Sequence, residues 1–559
     1  MKPGQELQET GAVKKSWRGR LPVALCYPNS YRVGMASLGF LTAYRIFNEN
    51  EHVVCERMFA DPAAKTPPVS VESGRRLSEF SVIAASLSFE NDYENFLRLL
   101  SQSGIPVRAA DRKEAHPLVM AGGVAAWLNP EPLAECLDLV LMGEAEELVP
   151  GFLDLYDPER DRGEMLQALA RKLPGAYVPS LYAPVYKEDG TLADFAPSAG
   201  APARVRRVFA GDLAGFSTVT PVLARDTAFG ESMLVEVSRG CPHGCRFCAA
   251  GRVYLPVRFR PLDRLCADLE EAVAKSAKVG LLGASVSDLP WLAELCRRGA
   301  SLGAELSFSS FRADNISPEI VAAVAGAKQK SATVAPDAGS ARMRAVIRKG
   351  IREEDVLSAV RLFVQNGVMN VKLYFMVGLP FETLDDVDAV IALVKRAKSA
   401  FLAESREKGR MGTIAVTLSS FVPKPFTAFQ WAAMDPVPAL KDKLARVRQG
   451  LRRVPNVIVT ADVPRHAFVQ GLLARGDRRV FPVLEKAART GDWAGALRGS
   501  PVNAGFFVLR ERELDELFPW DFIDHGFTKD ALRREWERAG AAAVRGIEEG
   551  GHHGQDAGS

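Results

Sequence analysis

Apolar positions along this chain follow two alternating rhythms. From about residue 230, short strand-like runs are separated by amphipathic helical stretches. The runs are MLVEVSR from Met233, VGLLGA from Val279, AELSFSS from Ala304, SATVAP from Ser331, NVKLYFMVGLP from Asn370 and TIAVTLSSFVP from Thr413. Between them lie stretches such as LDRLCADLEEAVAKSA and EEDVLSAVRLFVQNG. Apolar strands alternating with helices predict a parallel sheet built from βαβ units, and six units predict a half-open barrel with its chemistry at the C-terminal strand ends. The first third alternates in the same way, through LPVALCYP, a helix from Ser37 to Asn48, HVVCERMF, SVIAASLSF, a helix near Asp92, PLVMAGG and LDLVLMGEAEE. That pattern predicts a small doubly wound α/β domain that binds ligands at its strand ends. Past Trp431 a helix over PALKDKLARVRQGLRRV, a short strand VIVTADV and further helices predict a helical α+β domain. The predicted division is residues 1–200 for the first domain and its linker, 201–435 for the barrel, 436–545 for the C-terminal domain, and 546–559 for a disordered tail of low hydrophobicity.

Composition narrows the class without choosing a partner. A chain of 559 residues exceeds one ordinary core, and 47% hydrophobic with 25% charged residues describes a soluble globular protein. Lys plus Arg minus Asp plus Glu is 71 − 68 = +3, which selects neither nucleic acid nor an acidic surface. Lys441, Arg448 and Arg452 fall at helical spacing and read as a solvated face in preference to an RNA surface. The polar N-terminus lacks the apolar core of a secretion signal, and no uninterrupted apolar run can span a bilayer. These features predict a cytoplasmic protein with no membrane partner, where thiols stay reduced and clustered cysteines bind metal.

Three of the eight cysteines do cluster, in Ser-Arg-Gly-Cys-Pro-His-Gly-Cys-Arg-Phe-Cys. Cys241, Cys245 and Cys248, separated by three and then two residues, suit a short loop around one corner of a four-iron cubane, with one thiolate per iron. The fourth iron is then open, which is the mark of a reactive metal. Gly240 and Gly244 allow the tight path, and Phe247 can limit solvent on one side. A zinc site would need a fourth ligand, with His243 inside the loop, and a ferredoxin-type site would need a fourth cysteine.

This loop, with an aromatic residue before its last cysteine, resembles the signature of radical S-adenosylmethionine (SAM) enzymes, and the six units are similar to that family's partial (β/α)6 barrel. The resemblance implies a [4Fe–4S] cluster on Cys241, Cys245 and Cys248. It also implies SAM chelated at the open iron and cleaved to methionine and a 5′-deoxyadenosyl radical. The electron would come from a donor such as flavodoxin or ferredoxin. It further implies that Arg312 meets the SAM carboxylate, Asp337 and Ser340 its ribose or methionine part, and Gly378, in GLPFET, its adenine. The family's Gly-Gly-Glu after the second strand is replaced here by Leu282-Gly283-Ala284-Ser285, leaving Gly283 for close approach and Asp288 as the available carboxylate.

Residues 121–149, AGGVAAWLNPEPLAECLDLVLMGEAEELV, resemble the end of the cobalamin-binding domain that precedes many such barrels. Gly122 and Gly123 would let a flat ligand approach the backbone. The Asp-x-His-x-x-Gly loop that often supplies a histidine to cobalamin is absent, since Tyr27 to Gly39 contains none. The resemblance therefore implies a domain that holds cobalamin without that ligand, or one that keeps only the fold. The full layout is similar to an uncharacterised subfamily of B12-domain radical SAM proteins. With cobalamin, the implied reaction is methyl transfer to an unactivated carbon. Without it, RNA modification or sulfur insertion stays open, with Cys26, Cys55 and Cys136 either holding a second cluster or buried as inert thiols. A non-catalytic iron–sulfur or RNA-binding protein is the third reading. No side chain is assigned as the catalytic acid, base or second radical, and the substrate is left open.

Overall fold

The computed structural model describes residues 8–60, 66–326, 331–407, 409 and 411–552. The first domain is a six-stranded sheet of β1 (Leu21–Tyr27), β2 (Val53–Phe59), β3 (Val82–Ser86), β4 (Leu118–Gly122), β5 (Leu139–Leu141) and β6 (Ala176–Tyr177). Its order is β2-β1-β3-β4-β5-β6, with β6 alone antiparallel. Parallel strands covered on both faces read as continuous apolar runs, and β1 and β4 do so. β2 departs from that rule, because Arg57 is fully buried within it. Glu9 and Glu72 reach the Arg57 guanidinium at 2.7 and 2.6 Å, which makes a charge tolerable in the core. The chain order changes direction between β1 and β3, where doubly wound sheets open a crevice.

The barrel consists of β7 (Met233–Glu236), β8 (Lys278–Leu282), β9 (Glu305–Phe308), β10 (Ser331–Asp337), β11 (Asn370–Val377) and β12 (Thr413–Ser420). β7 to β9 form one parallel trio, and a parallel Phe311–Val334 bridge carries the pairing on to β10. Beyond the predicted end at residue 435, a seventh strand, β13 (Val457–Ala461), pairs in parallel with β12. The VIVTA segment thus extends the barrel sheet and does not lie apart in a C-terminal domain.

The C-terminal helices do not form a detached unit. Ile523–Asp524 pairs in parallel with Val205–Arg206 of the linker. His525 is buried with its Nε2 3.1 Å from the Trp127 carbonyl and its ring 4.3 Å from that of Phe426. Burial lowers its pKa to about 3, so it is a neutral packing residue. Trp520 is likewise buried and donates to Gln430. The last helix, Lys529–His552, returns to the barrel and packs on helix Ala341–Val346. It runs through 546–552, where the sequence predicts the start of a disordered tail, and residues 553–559 lie outside the described residues.

Candidate functional site

The cysteine loop leaves the C-terminal end of β7, with its base pinned by an antiparallel pair between Ser238–Arg239 and Arg258–Phe259. Gly240 takes φ +81°, and a Cβ there would sit 2.8 Å from the Tyr254 carbonyl, so only glycine fits. Cys245 is buried, and Cys241 and Cys248 are partly so. Burial pushes all three thiols up, and each thiol also feels another across the loop. Lys349 and Arg312 oppose that shift at Cys245. Among the described residues, no three His, Cys, Asp or Glu side chains converge on a single-ion site. Three thiols that share a loop without converging suit separate irons of one cluster and not the short bonds of zinc. His243 is also taken, with Nε2 2.7 Å from Asp288 Oδ2. The loop thus fits a cubane.

The loop is held from outside by the last helix. Arg246 donates from its backbone to Ile347 O at 3.0 Å and from its guanidinium to Val346 O at 2.8 Å. Its Nε meets the buried Glu535 carboxylate at 3.1 Å. Phe247 packs into a core of Met343, Ile347, Leu379 and Phe429.

The residues expected around SAM divide into two groups. Arg312 and Asp337 stand beside the loop, since both perturb the Cys245 thiol. Each already has a partner: Arg312 forks onto Asp314 at 2.9–3.0 Å, and Asp337 meets Lys349 at 2.5 Å. Asp337 also holds φ +64°, a conformation rare for residues with a side chain. Gly283 ends near β7, where a Cβ would lie 2.6 Å from Ser238 Oγ. Asp288 is held by His243, Ser285 and Asn315, so it braces the loop and is not a free carboxylate. Ser340 and Gly378 fall in the second group. Ser340 caps helix Ala341–Val346, accepting from Met343 N at 2.9 Å and donating to Asp386 at 2.6 Å. Gly378, at φ +79°, donates to Glu382 at 2.7 Å, and a Cβ would lie 2.6 Å from Leu440.

A cavity of about 390 Å³ opens between the two domains. One wall is the strand ends of β3 and β4, with Ser86, Gly122 and Gly123. The other wall is the barrel, with Ser238 to Gly240, Tyr254 and Gly283. An apolar slot runs back past Gly39, Ala43, Phe47 and Leu148. Gly123 adopts φ +100°, and its Cβ position is blocked by Leu87 O at 2.5 Å, so the chain passes flat against the cavity.

Sequence reading missed the group that joins the walls. Glu144, just past β5, meets Arg258 at 2.7 Å and Arg239 at 2.7 Å, and Arg239 also holds Glu146 at 2.6 Å. Burial would raise the Glu144 carboxyl, but the two guanidiniums hold it below its ordinary value. Arg239 stands two residues before Cys241, so this network ties the first domain to the cysteine loop. Replacing Glu144 by Ala leaves Arg239 and Arg258 buried without that counter-charge. The expected loss is about 3–5 kcal/mol, read as a lower denaturation midpoint, whereas an unchanged midpoint would show the network to be dispensable.

Cys26, Cys55 and Cys136 are fully buried, and Cys26 and Cys55 belong to cores on opposite sides of the sheet. Burial raises all three thiols, Cys136 to about 12. They do not form a second cluster site.

Two family models match the chain: "Radical SAM proteins, N-terminal" over residues 39–179 and "Radical SAM superfamily" over residues 235–394. An uncharacterised protein of Methanocaldococcus jannaschii is 29% identical over 480 residues, covering 85% of this chain and 93% of its own length. A tRNA-2-methylthio-N(6)-dimethylallyladenosine synthase of Sorangium cellulosum is 28% identical over 228 residues, covering 36% of this chain and 45% of that enzyme. Among solved structures, the radical SAM methyltransferase TsrM of Kitasatospora setae, with cobalamin and a [4Fe–4S] cluster bound, aligns with TM-score 0.51 at 14% identity. The alignment covers 85% of this chain and all of that one, a likeness of fold. No described helix is long and apolar enough to cross a membrane.

Proposed function

The chain is a radical SAM enzyme with a B12-binding-like N-terminal region, and from that premise we propose that it is a cobalamin-dependent methyltransferase. The observation that carries this reading is the cavity walled jointly by the glycine-lined strand ends of the first domain and the base of the cysteine loop. Its volume lies in the range of roughly 300–1,000 Å³ usual for small-molecule and cofactor sites. The TsrM structure, with cobalamin and a [4Fe–4S] cluster bound, supplies a precedent for this pairing on the same fold.

When bound, the cluster with SAM would supply the 5′-deoxyadenosyl radical, and the corrinoid would supply a methyl carrier. The protein's own part is to hold and to exclude. Cys241, Cys245 and Cys248 would hold the cluster. Arg312 and Asp337 lie where SAM's charged groups would arrive, and each would have to exchange its present partner for SAM. Gly122 and Gly123 would let a corrin edge approach the backbone, and the apolar slot between sheet and helix Leu38–Glu49 would take the nucleotide tail. The Glu144–Arg239 network would keep the two cofactors in register. Sulfur insertion is less well supported, because the N-terminal thiols do not converge.

No histidine lines the cavity. Bound cob(II)alamin is therefore expected to give an EPR spectrum without the nitrogen splitting of an axial histidine or benzimidazole. A resolved nitrogen triplet would contradict the assigned slot. Anaerobic purification with iron, sulfide and corrinoid quantified tests the function itself. The reading predicts a cluster together with tightly retained cobalamin, and it fails if cobalamin added in excess washes off a protein that keeps its iron.

A further inference from the structure

The outer side of the cysteine loop carries more positive charge than anchoring the loop requires. Arg246, Arg348 and Arg538 reach the Glu535 carboxylate at 3.1, 3.2 and 2.6 Å. Arg252, on the short helix after Cys248, feels Glu535 and also Cys245 and Cys248, and its buried Nη2 has no hydrogen-bond partner. Four guanidiniums thus share one carboxylate, an excess of 4 − 1 = 3 positive charges. Glu535 is buried, whereas the Arg348 and Arg538 side chains are 53% and 66% exposed. Arg348 also lies on the loop itself, since a Cβ on Gly244 would be 3.1 Å from its Nη1. Arg246 alone would latch the loop to the last helix. The exposed pair keeps like charges together at the surface, an arrangement that steers acidic partners.

We propose that this arginine face is the docking surface for a small acidic one-electron carrier protein. The inference rests on the radical SAM reading, because it needs a reducible cluster under the loop. In the step, the carrier loses one electron, and that electron enters the iron–sulfur group. No bond forms or breaks and no proton moves. The face suits the step in two ways. It draws an acidic surface onto the loop, and it offsets the negative charge that the electron adds beneath it.

The test is stopped-flow reduction of the reconstituted full-length protein by flavodoxin hydroquinone and, separately, by dithionite. In an Arg348→Gln/Arg538→Gln double variant, reduction by flavodoxin at low salt should slow by about tenfold or more and lose most of its salt dependence. Iron content and reduction by dithionite should match the parent. The single variant Arg538→Gln, at the more exposed position, should show part of the effect and guards against misfolding of the double. A wild-type rate with wild-type salt dependence in both variants overturns the proposal. So does loss of tRNA-transcript binding in the double variant with flavodoxin reduction unchanged, which would make the face a nucleic-acid surface. A parent protein that cannot be reduced by dithionite, or does not then cleave SAM, brings down the radical SAM reading first and the docking surface with it.

Discussion

Replacing Cys245 by alanine should abolish iron incorporation and SAM cleavage while leaving the chain folded. Cys245 is the central and most buried ligand of the loop, with Lys349 and Arg312 arranged to favour its thiolate. A coordinated thiol must be deprotonated, and burial alone works against that, so the nearby cations are part of the site. Without this sulfur only two thiolates remain for a group that needs three. Loss of supporting contacts around a metal typically costs about 10–100-fold, and loss of a ligand should exceed that. The expected result is iron and sulfide near background, no charge-transfer absorbance, and 5′-deoxyadenosine below detection. Circular dichroism should match the parent, because Cys245 lies in a loop anchored by Arg246 and Phe247. Cys266→Ala, on an outer helix, is the control and should keep iron and cleavage. Normal cleavage by the Cys245 variant would remove the loop from the account.

The second large effect is expected at Gly39, which sits in the first turn of helix Leu38–Glu49 and lines the slot of the cavity. A Cβ at Gly39 meets nothing within 4 Å, so a side chain would grow into empty space without displacing backbone. Gly39→Phe should therefore fold as well as the parent, and glycine removal from a helix favours stability by up to about 1 kcal/mol. The phenyl ring would fill space that the proposed nucleotide tail needs. Overpacking of about 3 kcal/mol corresponds to binding weaker by on the order of a hundredfold. Equilibrium dialysis with hydroxocobalamin should show that loss, while iron content and dithionite-driven formation of 5′-deoxyadenosine persist. Unchanged cobalamin affinity would show that the slot is not the tail site.

Much of this architecture is legible in the chain because its strands are buried on both faces and so appear as continuous apolar runs. Ser37 caps the first long helix as its residue type suggests, accepting from Phe40 N at 3.5 Å. β13 was assigned to the wrong part of the molecule because its VIVTA run looks the same whether it ends a barrel sheet or starts a new domain. Only pairing with β12, more than 40 residues earlier, decides between them. Site residues were legible by type and less so by role. Ser340 and Asp288 were expected near SAM for their polarity, but a helix cap and a His243 contact already use them. Glu144 and Arg239, 95 residues apart, form one ion pair across two domains, and nothing local to either marks it. The cavity escaped for the same reason, since Gly122 and Gly123 reveal one wall and the second is built by the barrel.

The most direct measurement is a single-turnover assay of the anaerobically reconstituted protein, loaded with cobalamin and reduced in the presence of methyl-labelled SAM. The account predicts about one S-adenosylhomocysteine per bound corrinoid, with the label on cobalt, together with slower formation of 5′-deoxyadenosine at the cluster. Formation of 5′-deoxyadenosine with no retained corrinoid and no S-adenosylhomocysteine would contradict it, leaving a radical SAM enzyme whose first domain keeps the fold without the cofactor.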